Sequence, residues 1–167
     1  MVLNFGLYCK CAVLIKTLIV QTRDLADTIV SIKDDIDKSY SSGSSPSSQW
    51  IVSLPHYWPR FSETEKYLCI ARHYAYWHVD FVSSWAKYSR GFHCTYDEVT
   101  TETSAVVAGI CDFFKIAKSS EQIDMAIDHA LGPRGDKIRF NKGVTGRGVK
   151  LLCPKAMETV REAEKLM

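Results

Sequence analysis

Apolar side chains recur at three- and four-residue steps along most of the chain, the period that places them on one face of a helix. The densest run lies between Ser62 and Tyr88. There Tyr67, Ile70, Tyr74, Trp77, Phe81, Trp85 and Tyr88 form one row, and Leu68, Ala71, Ala75, Val79, Val82 and Ala86 form a smaller second row. Ser62-Glu63-Thr64-Glu65 reads as a capping box at its start, and Ser89-Arg90-Gly91 as its stop. A helix that is apolar around most of its circumference needs other helices about it. The pattern therefore predicts a mainly α fold, a helical bundle around a central aromatic-rich helix.

Ahead of it, Leu14, Leu18, Leu25, Ile29, Ile32 and Ile36 follow helical spacing, with no proline and only Gly6 to interrupt, so one long helix is expected from about Leu7 to Lys38. Residues 1–38 are read as a docking or self-association element, and a homo-oligomer through them is a candidate assembly. The serine-rich stretch 39–49 is read as a linker, and 50–167 as the helical domain. Pro55 and Pro59 bracket the aromatic patch His56-Tyr57-Trp58, and Phe92 to Tyr96 reads as a short connector. A third helix is expected over Asp97–Lys118, with acids in its first turns and lysines in its last. Ser119-Ser120-Glu121-Gln122 caps a short helix that ends at Gly132-Pro133, and Pro154 opens a C-terminal one. Between these two, Lys137–Phe140 and Val149–Leu152 alternate polar and apolar residues around a glycine-bearing segment, which predicts a small C-terminal β-hairpin within 134–152.

Composition changes this picture little. A chain of 167 residues builds a core without staples. Its formal net charge of +2 gives no global attraction to polyanions. Six cysteines without a C-x-x-C pair disfavour a disulfide framework or a structural zinc site, and are expected as free thiols in a cytoplasmic setting. Lys10 and Lys16 interrupt the apolar start, so no stable membrane insertion is expected, and Met1–Phe5 carries no charge of the kind that precedes a secretory leader.

Local charge is where chemistry enters. Between Arg134 and Lys150 lie six cations, Arg134, Lys137, Arg139, Lys142, Arg147 and Lys150, against the single acid Asp136. Three of the glycines among them, Gly143, Gly146 and Gly148, let backbone N–H groups approach a phosphate chain. This predicts a non-catalytic, sequence-tolerant nucleic-acid-binding protein, for RNA more than for a specific DNA site, with these six cations on phosphates and Gly143 and Gly146 at close approach. Tyr57 and Trp58, near a segment end, are candidates for base stacking. Small cysteine-containing proteins of this kind occur among virus-encoded RNA binders, and a viral origin is a guess on that ground. The hairpin followed by a terminal helix, with the motif G-R-G-V-K-L-L-x-P-x-A from Gly146 to Ala156, resembles the wing of winged-helix DNA-binding domains over about twenty residues only, and no recognition residue follows from it.

Other constellations are weaker. Cys69 and His73 share a helix face, but His78 falls well round the helix from them, so no metal ligand set is expected. His93 and Cys94 are adjacent and lack an orienting acid, so no catalytic residue and no cofactor is expected. The alternative function is an α-helical adaptor or effector that binds a partner protein through its apolar N-terminal helix or a groove between helices.

Overall fold

The computed structural model describes residues 18–43, 57–132 and 144–167, and it is mainly helical. The described residues fall into two units, one within Met1–Thr22 and Ala86–Arg139, the other within Arg23–Trp85 and Phe140–Met167.

The second unit holds helices α1 (Leu25–Ser42) and α2 (Glu63–Ala86), the 3-10 turn Trp58–Arg60, the short helix α6 (Gly148–Leu151) and α7 (Pro154–Glu164). Asp24 starts α1 by accepting the Asp27 N–H on its side chain at 2.8 Å, and Gly43 ends it in the left-handed conformation at φ 67°. The first residues of the serine-rich stretch, Ser39 to Ser42, thus belong to the helix. The capping box at α2 forms as its spacing implies, with Glu65 Oε2 accepting from Ser62 N–H at 2.8 Å and Ser62 Oγ from Glu65 N–H at 3.3 Å. Leu25, Ile29, Ile32 and Ile36 of α1 pack with Tyr67, Ile70, Tyr74 and Val79 of α2, Trp58, and Ala156, Val160 and Ala163 of α7 in one core. The apolar stripe of α1 is consumed by this chain's own interior.

One buried polar link runs through that core. His78 Nδ1 lies 3.1 Å from the Tyr74 hydroxyl and Nε2 lies 3.3 Å from the Arg23 carbonyl. A carbonyl can only accept, so Nε2 carries the proton and Nδ1 accepts from the tyrosine. Burial pushes the His78 pKa down, against the Arg23 hydrogen bond and the charge of Asp24, and burial alone pushes the Tyr74 hydroxyl up to about 12.

The first unit holds β1 (Leu18–Thr22) and β2 (Gly91–Thr95), paired in parallel with Leu18 opposite Gly91 and Thr22 opposite Thr95, then α3 (Tyr96–Thr101), α4 (Thr103–Phe113) and α5 (Ser120–Leu131). Both strands correct the sequence reading. Residues 18–22 do not continue a helix from Leu7: Ile19, Val20 and Thr22 are β-branched and suit the pleated backbone, and Val20 buries its side chain there. Phe92 to Thr95, expected as a connector, is its partner. The single helix expected over 97–118 is two, broken at Glu102 (φ −130°, ψ 41°). The local cause is a threonine cluster whose hydroxyls bond back to carbonyls, Thr100 and Thr101 to Asp97 and Thr103 to Val99.

The expected C-terminal hairpin is also corrected. Val149 to Leu151, read as strand, lie in the helical turn α6, and the intended partner strand 137–140 lies outside the described residues. The strand pair of this fold is parallel and is built from other residues. No helix among the described residues is long and apolar enough to cross a membrane.

Candidate polyanion-binding segment

Thr145-Gly146-Arg147-Gly148 enters α6 with Gly146 at φ 73°, in the left-handed region that glycine adopts without strain. The Arg147 carbonyl accepts from Lys150 N–H at 3.1 Å and from Leu151 N–H at 3.0 Å, closing the turn. Its unused amides point at α1. Asp27 Oδ2 accepts from Gly146 N–H at 2.7 Å and Oδ1 from Gly148 N–H at 2.6 Å, although Asp27 is only 3% exposed. Two short amide bonds, plus a place in the first turn of α1 where the helix favours negative charge, offset the cost of burying this carboxylate.

Glycine is obligatory at 148. A Cβ built there would stand 2.3 Å from the Ala26 carbonyl carbon, 2.5 Å from Ala26 Cβ and 2.6 Å from Asp27 N. At Gly146 the same construction meets nothing within 4 Å, and backbone conformation alone favours glycine. Beside the clamp, an Arg147 Nη atom donates to Asp34 Oδ2 at 2.6 Å.

The glycine amides do cradle an anion, but that anion is Asp27 of the same chain. The Gly146 N–H is therefore taken by Asp27, and Arg147 is held by Asp34. Of the remaining predicted residues, Lys150 is exposed on α6, flanked by Val149 (72% exposed) and Leu151 (47% exposed). Arg134, Lys137, Arg139, Lys142 and Gly143 lie outside the described residues.

The stacking candidates separate. Tyr57 is exposed and meets Phe61 edge-on at 5.2 Å. Trp58 is fully buried, its Nε1–H donating to Asp37 Oδ1 at 2.9 Å, so it cannot stack on a base. It anchors an ion network in which Asp37 meets Lys66 at 2.9 Å and Lys33 at 3.1 Å, and Lys33 also meets Glu63. Burial opposes the charge on Asp37, but hydrogen bonds from Lys66, Trp58 and Lys33 outweigh it and hold the carboxyl below its ordinary range.

His73 is exposed and His78 is committed to Tyr74 and Arg23. The His93 ring donates from Nε2 to the Tyr88 carbonyl at 2.9 Å, and Cys94, next along the strand, is buried with its thiol pKa raised by burial.

Asp27 and Asp34 were not singled out from the sequence. The available signal was charge complementarity: the predicted first helix carries Asp24, Asp27, Asp34, Asp35 and Asp37, and the 134–150 stretch carries the cations. Compared with protein-family models, curated proteins and solved structures, the chain finds no match.

Proposed function

We propose that this chain is a non-catalytic, sequence-tolerant nucleic-acid-binding protein that takes RNA through the phosphates. The observation that carries the reading is the charge left in the 134–150 stretch once Arg147 is assigned to Asp34. Arg134, Lys137, Arg139, Lys142 and Lys150 stand against Asp136 alone. The clamp on Gly146 and Gly148 supports a fixed C-terminal end for this stretch, with Lys150 displayed to solvent. Contact is by cationic side chains, because the Gly146 and Gly148 amides are spent on Asp27. On this reading the helices packed about α2 are a scaffold.

A gel-shift titration with single- and double-stranded RNA tests it. Five phosphate contacts on a single strand weaken affinity about 100-fold between about 50 and about 200 mM salt. Replacing Arg139, Lys142 and Lys150 with glutamate removes most of the binding. Undiminished binding by that triple variant would remove the segment from the account.

A protein-binding reading is favoured by Val149 and Leu151, two exposed apolar side chains on a turn whose backbone is clamped. Its occupant is an adaptor partner, and Val149→Ser with Leu151→Ser abolishes that contact while leaving RNA retention intact. A self-associating role for residues 1–38 falls, on this proposal, to residues outside the α1 stripe, whose Leu25, Ile29, Ile32 and Ile36 are buried.

A further inference from the structure

The two carboxylates that meet the glycine segment differ in permanence. Asp27 is sealed and satisfies two backbone amides. The Arg147–Asp34 pair is not sealed: 16% of the arginine side chain and 27% of the aspartate remain exposed, and it is made through one guanidinium nitrogen. A guanidinium prefers a bidentate partner, and a phosphate diester can supply one. The nearby charges do not release the pair, because Lys33 is already committed to Glu63 and Asp37.

We propose that Asp34 is an internal competitor for Arg147, an autoinhibitory contact that withholds one cation from phosphate and sets a carboxylate beside the bound strand. This rests on the RNA-binding reading above. In the wild-type protein, transferring Arg147 to phosphate would strand the Asp34 charge next to a polyanion, so the pair persists in the complex and Arg147 is not counted among the phosphate contacts. Neutralising Asp34 removes both obstacles together.

The salt dependence of binding to oligouridylate reads this directly. Each phosphate contact on a single strand contributes about 0.7 to the slope of log K against log salt. Asp34→Asn steepens the slope by about 0.7 and raises affinity severalfold at low salt. Arg147→Gln alone leaves the wild-type slope unchanged, and Arg147→Gln combined with Asp34→Asn returns the slope to the wild-type value. Asp34→Ser, which keeps no planar amide, reproduces the gain and guards against a fold defect peculiar to asparagine. An unchanged slope in both Asp34 variants overturns the proposal while leaving the RNA reading in place, as does a slope lowered by Arg147→Gln alone. Wild-type protein that fails to bind oligouridylate at low salt overturns the RNA reading itself, and this inference with it.

Discussion

The two units bury their apolar residues in different ways. In the unit of α1, α2, α6 and α7, an unbroken set of fully buried side chains runs from Ile29 through Trp58 and Ile70 to Val160. In the unit of β1, β2 and α3 to α5, the buried apolar residues among those described are Val20, Cys94 and Ile123, and the apolar helix α4 contributes none. The first is a helix-on-helix interior with tight backbone approach at Gly148. The second is a two-stranded parallel sheet with helices beside it, an arrangement that is marginal by itself and leaves many side chains half-buried. Substitutions should therefore be costly and sharply local in the helix-on-helix unit, and mild in the sheet-containing one.

The widest contrast is between two glycines. Gly148→Ala forces backbone atoms of Ala26 and Asp27 apart and strands a buried carboxylate oxygen, a loss of about 4 kcal/mol. Gly109→Ala brings a Cβ to 3.0 Å from the Phe92 ring, whose edge can shift, and gains helix propensity, so the net change stays within about 1 kcal/mol. Urea midpoints of the two variants measure this, and comparable losses would erase the distinction between the units.

A smaller difference is expected from cavities. Ile70→Ala in the closed interior costs about 3 kcal/mol, whereas Ile110→Ala, at a half-buried position on α4, costs about 1 kcal/mol. Calorimetric unfolding of both variants decides it.

The smallest effect is a pH dependence assigned to the helix-on-helix unit. The folded pKa of His78 lies below its ordinary value of 6.5, so the unfolded chain takes up the proton first as the solution is acidified. Stability from neutral His78 is complete above 6.5 and is lost as pH falls from there toward the folded value. Asp37 acts in a lower window: its depressed pKa gives stability that is lost below the ordinary carboxylate range. His78→Gln, which can still donate to Arg23 and accept from Tyr74, should flatten the upper window alone. A variant as pH-sensitive as the wild type there would show that another group is responsible.

The same contrast explains what could be read from the sequence. Helices α1, α2, α5 and α7 announce themselves through local signals: Ser62 with Glu65, Ser119 with Gln122, Pro154, and apolar residues spaced at one helical turn. The strands do not. β1 and β2 form a parallel pair whose partners stand 73 positions apart, as Leu18 and Gly91 do, with no tight turn between them to mark the pairing. Leu18 to Thr22 also fits a helical stripe, and only the distant partner settles its conformation. The basic segment was legible as charge but not as geometry, because Asp27 and Asp34 lie more than a hundred positions ahead of the residues they hold. Alternation in Val149 to Leu152 suggested a strand, whereas Gly148 and Leu152 are the two buried ends of one helical turn and the residues between them face outward.

The Asp27 clamp bears on how the molecule is made. Its acceptors meet donors 119 and 121 positions downstream. During synthesis α1 leaves the ribosome well ahead of the glycine segment, so its sealed acid waits for partners more than a hundred residues behind it. Fragments cut short before Gly146 would hold that acid unanswered, so translation stops ahead of it should yield products that proteases clear rather than shortened working proteins.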